Sequence, residues 1–489
     1  MKRIQQALVG SLLFGAMLQT AAGQAGSDAA ARTPNPTAVS EAIAFENVSV
    51  IPMDSDRALL HQTVLVREGR IVAIGPARTV NIPPRAQRID GHGRFLMPGL
   101  VDMHAHLMGG ADLAADLSLF LAYGVTTIRQ MSGAPKVLDL RRKIIEGSVL
   151  GPTIFTVGEL IDGDPPVFNQ ATTVVTTPEQ ARLEVDRQKQ AGYDEVKVYD
   201  NLLSAQYDAV IGEAARVGIA VVGHVPKDVP VEHALQSHQA SIEHLMGYLT
   251  YVQRSDSPFV FHHRNASLEA GSHQSVGHVS NELLEMPKWV DPGRIQEIAK
   301  LTVQAGTWSV PTLVQLENAK RKEEYPQAWA RPGMQYATQS MRDWWNSDAE
   351  TSDPDARARL LEVRRSMVRA LHEAGAKLLI GTDTPHPFVL PGLAVHDEMR
   401  NFIAAGLTPY EALWSATRGP AQFLDQSNEF GVVATGARAD LVLLEANPLL
   451  NIDNASSIVG VMAGGKWLSK ERLIQNLGSP SSSSPKTGT

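Results

Sequence analysis

The sequence contains no cysteine. Disulfides, thiolate metal sites and a lipid-modified N-terminal cysteine are therefore excluded, and any bound metal has to be held by nitrogen and oxygen. A surplus of positive charge is also missing. Lys and Arg number 44 against 52 Asp and Glu, giving a net charge of -8 with no basic block. That balance argues against nucleic acid or an acidic membrane surface as a partner. Long apolar runs are absent except at residues 7–18, which follow Lys2 and Arg3 and precede the small residues Ala21, Ala22, Gly23 and Ala25. The run is short for a membrane span and has the layout of a secretory signal peptide, with cleavage expected between Ala22 and Ala25. An uncleaved anchor is the competing reading. The mature chain is expected to be exported, periplasmic or secreted, with no stable membrane span.

What is present suits a large soluble protein. The 489 residues are 43% hydrophobic and 20% charged, enough for one large domain and a smaller one. After the signal peptide (1–25) comes a flexible lead-in (26–42), then a β-rich segment (43–96) with a hairpin signal at Glu68-Gly69. The same texture returns at 430–475, with a turn at Ala463-Gly-Gly-Lys466, before a Ser- and Pro-rich tail (476–489) expected to be disordered. The two β segments are expected to pair as a small β-sandwich built from both chain ends.

Between them, in residues 97–429, strands alternate with helices. Strand candidates are residues 96–102, 125–130, 153–157, 195–199, 219–223, 240–243, 308–312 and 377–381. Leu113, Leu117, Phe120 and Leu121 lie on one helical face. Thr177-Pro-Glu-Gln180 carries an N-cap, a proline at the first helical position and a capping-box glutamine. Gly218 and Gly375 sit where helices should stop. Eight β–α units predict an α/β fold, a (β/α)8 TIM barrel whose site lies at the C-terminal strand ends. A doubly wound open sheet competes, but no Gly-rich phosphate loop follows the first strand. Segments 250–292 and 317–356 are longer than ordinary connections, and are read either as pocket walls or as helical elaboration outside the barrel.

The strand ends carry the chemistry. The run Phe95-Leu-Met-Pro-Gly-Leu-Val-Asp-Met-His-Ala-His106 places His104 and His106 two apart, on one face of a strand. Lys197 lies between valines inside the fourth strand, where a bare ammonium would be costly; as a carbamate it would be anionic and could bridge two cations. His224, His244 and Asp383 end strands five, six and eight. Taken singly these signals are weak. A lone His-x-His is more often structural, Lys197 could pair with Glu195 or Asp383, and either later histidine could be a core residue. Tyr199, His386 and Arg129 are candidate substrate contacts, with plainer explanations as barrel filler, solvated loop residue and internal salt bridge. His233, His238, His262, His263, His273 and His278 follow no ligand geometry.

As a set, these residues resemble the amidohydrolase superfamily with a binuclear metal centre. The 95–106 run, Gly381-Thr-Asp383 and Gly436-Ala-Arg-Ala-Asp-Leu-Val442 are similar to its imidazolonepropionase-like and Xaa-Pro dipeptidase branch, over residues 43–475. The resemblance implies His104, His106 and Asp383 on the more buried ion, His224 and His244 on the more exposed one, and carbamylated Lys197 between them. The two divalent ions are by default zinc, with manganese, cobalt and iron open. It further implies attack by a metal-bridging hydroxide, with Asp383 as general base and then general acid.

The expected function is hydrolysis of an amide C–N bond in a small molecule, a dipeptide or an N-acyl amino acid. Alternatives are a cyclic amide, a lactone or ester, or a carbamate-type xenobiotic. A solute-binding barrel is the non-enzyme alternative, but it would be expected to have lost a ligand. The sequence leaves open the substrate and whether chains associate as a homo-oligomer.

Overall fold

The computed structural model describes residues 42–261, 280–347, 350 and 352–478. The proposed signal peptide therefore lies outside the described residues, as do His262, His263, His273 and His278. Among the described residues no helix is long and apolar enough to cross a membrane.

Both chain ends contribute to one eight-stranded sheet. Its order runs Lys466–Ser469, Ile458–Ala463, Leu441–Leu444, Phe95–Pro98, Ile43–Val50, Leu59–Arg67 and Arg70–Pro76, with Gln87–Asp90 also pairing with Ile43–Val50. The two ends meet where Phe95–Pro98 runs antiparallel to Leu441–Leu444, Met97 opposite Val442. Glu68-Gly69 and Gly464-Gly465 form the tips of the two predicted hairpins. Phe45, Val64, Ile71, Leu96, Leu443 and Met462 share one buried cluster. The rings of Phe45 and Trp467 are 5.2 Å apart although three strands separate theirs in the sheet, so the sheet folds back on itself.

The second half of the architecture is parallel. Leu100–Ala105, Val125–Gln130 and Thr153–Thr156 form a three-stranded sheet. A six-stranded sheet runs Thr172–Val174, Leu160–Asp162, Glu195–Val198, Ala220–Gly223, Ser241–Glu243, Trp308–Val310. Single parallel bridges link Val157 to Glu195, Ser309 to Leu378, and Thr384 to Ala105. Except for Thr172–Val174, these strands are mostly buried, as parallel strands covered on both faces must be. The fold is mixed α/β and TIM-barrel-like. Helix ends follow the predicted signals: Thr177 and Gln180 make a reciprocal capping box, and Gly218 and Gly375 adopt the left-handed conformation that ends their helices.

The structure revises two strands. Residues 96–102 are not one strand: Phe95–Pro98 belongs to the mixed sheet and Leu100–Ala105 to the parallel one. At Gly99 between them, a Cβ would lie 2.0 Å from Thr126 Oγ1, so the chain can cross there only without a side chain. Residues 377–381 form no strand, and Leu378 makes a single parallel bridge to Ser309. Packing there is close, since a Cβ on Gly381 would lie 2.8 Å from His104 Cβ.

Among the described residues, the long segment 317–356 carries the helices Tyr325–Trp329 and Gln339–Ser347. Met334, Met341 and Trp345 bury against Leu119, Phe388 and Leu390. Trp345 Nε1 donates to the Pro385 carbonyl at 2.9 Å, which ties this elaboration to the loop after Asp383. In segment 250–292 the described parts are the short helices Tyr248–Tyr251 and Asn281–Glu285 and a turn of 3-10 helix at Met286–Trp289.

Candidate metal centre

Six side chains predicted from distant strands come together at one end of the parallel strands. His104 is wholly buried on Leu100–Ala105, and His106 follows one residue past the strand. Their Nε2 atoms lie 3.4 and 3.1 Å from Asp383 Oδ1. The His244 ring is 4.6 Å from that of His104 and 5.0 Å from that of His224, centroid to centroid. Lys197 Nζ is 3.5 Å from His104 Nε2. One atom each from His104, His244 and Asp383 falls within a 4.8 Å cluster, a spacing that suits a shared cation.

Three of the imidazoles are held from behind. His104 Nδ1 lies 2.8 Å from Glu243 Oε2, His224 Nδ1 2.6 Å from Asp200 Oδ1, and His244 Nδ1 2.6 Å from Thr312 Oγ1. A carboxylate can only accept, so Nδ1 of His104 and of His224 carries the proton and Nε2 keeps its lone pair. Asp102 ties the first strand to the segment before Asp383: Oδ1 accepts the backbone N–H of His104 and of Thr382, both at 3.1 Å, and Oδ2 the Thr382 hydroxyl. His244, Thr312 and Asp383 have φ of 57°, 49° and 59°. Non-glycine residues there cost on the order of 1–3 kcal/mol each, strain that the surrounding structure has to offset.

The electrostatics favour a cation. Burial first, and for His104 the nearby Lys197, lowers the affinity of His104, His106 and His244 for a proton, leaving neutral donors. Burial alone would raise Asp383, but His386 and a hydrogen bond from His106 act the other way and lower the carboxyl. Burial also brings Lys197 down to about 8. Imidazole and carboxylate donors without sulfur suit zinc and other divalent first-row ions.

The sequence profile of the amidohydrolase family matches residues 95–468, most of the chain. The chain belongs to the amidohydrolase family. Its chemistry is hydrolysis at a C–N bond. Imidazolonepropionase from Salinispora arenicola is 27% identical over 414 residues, covering 80% of this chain and 87% of that protein. Among solved structures, bottromycin amidohydrolase superposes with a TM-score of 0.68 at 27% identity, over 89% of this chain and 88% of that one. A putative prolidase from Bifidobacterium longum gives 0.63 at 24% identity, over 90% and 100%.

The remaining candidates of this amidohydrolase separate clearly. Tyr199 stacks on His224 at 4.1 Å, and burial keeps its phenol protonated. His386 Nε2 is 3.3 Å from Asp383 Oδ2. Arg129 does not fit the role of substrate contact: it is 0% exposed, and its guanidinium is engaged by Glu243, Ser241 and the Met103 carbonyl. Glu195, considered above as a lysine partner, instead faces Arg129 at 3.5 Å. His233 pairs with Asp208, and His238 donates to the Ala305 carbonyl. Sequence reasoning missed Glu243, Asp200, Thr312 and Asp102 as supports. Glu243 and Asp200 each neighbour a residue it had singled out; for Glu243 and Asp102 the available signal was an acid inside a buried strand.

Proposed function

We propose that this amidohydrolase is exported and hydrolyses the amide bond of a dipeptide or an N-acyl amino acid at a two-ion centre. The observation that carries the reading is the arrangement of the imidazoles: His104, His224 and His244 are each engaged at Nδ1 by protein, around the one buried lysine of the site. His104, His106 and Asp383 would hold one ion, His224 and His244 the other, and Lys197, as a carbamate, would lie between them. An amine with its proton affinity lowered to about 8 spends part of its time neutral, the form that adds to carbon dioxide. The two parallel sheets and the stretch from Leu378 to Thr384, linked at three places by single bridges, support a closed (β/α)8 barrel, and the folded-back mixed sheet supports a sandwich beside it.

Bound divalent ions would supply an acidified water and a Lewis-acid pull on the scissile carbonyl. The protein does the rest. Asp383, kept ionised by the histidines around it, takes the proton of the attacking water and delivers it to the leaving nitrogen. His386 steadies the other carboxylate oxygen. Tyr199 offers a protonated hydroxyl to a substrate oxygen.

The test is metal analysis of purified protein together with turnover of Xaa-Pro dipeptides, N-acyl amino acids, cyclic amides, lactones and aryl carbamates. Two metal equivalents, with dipeptide or N-acyl turnover lost on chelation, are expected. Likeness to imidazolonepropionase favours a second reading, a cyclic amide substrate, and turnover restricted to that arm would move the assignment there. A chain without bound metal would overturn both. Export predicts a mature N-terminus between residues 22 and 26, read by N-terminal sequencing of protein recovered from outside the cytoplasm.

A further inference from the structure

Behind the metal-site imidazoles runs a buried ionic chain for which the hydrolytic mechanism above has no use. Arg129 enters from Val125–Gln130, and its Nη2 donates to Glu243 Oε1 at 2.8 Å. Its Nη1 donates to Ser241 Oγ at 3.2 Å, and Ser241 Oγ donates to the same Glu243 oxygen at 2.5 Å. The other oxygen of Glu243 receives His104 Nδ1 at 2.8 Å. Arg129 Nε meanwhile donates to the carbonyl of Met103, the residue next to His104, at 2.7 Å. One guanidinium therefore grips both the backbone beside this histidine and the carboxylate behind its ring. All four side chains, Arg129, Ser241, Glu243 and His104, are 0% exposed.

Stability alone is a poor reason for such an arrangement. A buried ion pair gains little over apolar side chains of the same volume, because the desolvation cost offsets the attraction. Control of a ligand is a better one. A carboxylate behind a ligating histidine fixes its tautomer and ring orientation and raises its donor strength, and a carboxylate with one oxygen held by a forked cation has only the other free to turn toward the ring.

We propose that Arg129 is a positioning residue for His104. Acting through Glu243 and the Met103 carbonyl, it presents Nε2 to the ion, with Ser241 sharing the hold on Glu243. The inference rests on the reading of His104 as a metal ligand. Metal-free wild type, Arg129→Met, Arg129→Lys, Ser241→Ala, Glu243→Gln and the Arg129→Met/Glu243→Gln double variant would each be titrated with zinc against a chelating indicator. Melting temperatures would be recorded for the same metal-free samples.

Arg129→Met is expected to weaken zinc binding about 10–100-fold, and Arg129→Lys to recover part of that loss. Ser241→Ala removes a donor without stranding a charge; it should weaken binding a few-fold, and it carries the test if Arg129→Met does not fold. The double variant should bind much as Glu243→Gln does, because most of the arginine's effect passes through that carboxylate. A purely structural pair would lower melting temperatures and leave affinity at the wild-type level, which would overturn the relay while the metal site stands. Fully additive losses in the double variant would overturn the path through Glu243. Wild type that takes up no zinc would overturn both the relay and the site.

Discussion

Lys197 is the residue that distinguishes a two-ion centre from a one-ion centre. Its Nζ sits 3.5 Å from an imidazole nitrogen in a wholly buried place, where an uncompensated ammonium is costly. Lys197→Ala is expected to lower the metal content below two equivalents and the rate by about two orders of magnitude, with partial rescue by added short-chain carboxylates; metal analysis and rescue kinetics check it. Unchanged stoichiometry would remove the bridging role. Asp116 allows a test independent of metal. It is wholly buried on Leu113–Ala122, its Oδ2 accepts the Met108 N–H at 2.8 Å, and its Oδ1 has no partner among the described residues. Burial pushes its carboxyl from 3.8 up to about 7. The folded chain thus keeps a proton that the unfolded chain releases, so the contribution is full below pH 3.8 and is lost as pH rises through about 7. Asp116→Asn cannot ionise and still accepts from Met108. Its stability should match wild type near pH 4 and exceed it above pH 7 by on the order of 4 kcal/mol, as read from urea midpoints.

At the scale of elements, the helical segment around Trp345 acts as a brace for the loop after Asp383. Trp345 is 0% exposed, bonds Pro385, and packs its ring 5.4 Å from that of Phe388. Trp345→Ala should cost about 3–5 kcal/mol and lower kcat with metal content unchanged, whereas Trp345→Phe keeps the packing and should cost less; calorimetry and kinetics separate the two. Elements with local punctuation could be read from sequence, among them the Thr177 capping box and the helix stops at Gly218 and Gly375. Apolar runs without it were ambiguous. Nothing in residues 96–101 says that the chain changes sheets at Gly99, because the reason lies in Thr126 on another strand. The short strands Leu160–Asp162 and Thr172–Val174 lack any alternating pattern and were not foreseen. The converging side chains were legible because they fall in or just after successive parallel segments, in the expected order. Their supports were not, since Glu243, Asp200 and Thr312 are identified only by the ring nitrogen each one meets.

At the scale of the whole molecule, the mixed sheet joins the two ends of the chain around one core. Its outer strands are held through Leu441–Leu444, which pairs with Phe95–Pro98 just upstream of His104. A chain ended at Gly436 would lose Leu441–Leu444, Ile458–Ala463 and Lys466–Ser469, leaving the Phe95–Pro98 edge open. Such a chain should aggregate and retain no metal, as measured by size-exclusion chromatography and metal analysis.

That same pairing sets an order of events during biosynthesis. The ribosome makes His104 and His106 well before Leu441–Leu444, the strand that pairs with the stretch leading to them. A nascent polypeptide therefore carries these imidazoles without a cage until Lys197, His224, His244, Asp383 and then Leu441–Leu444 have been made.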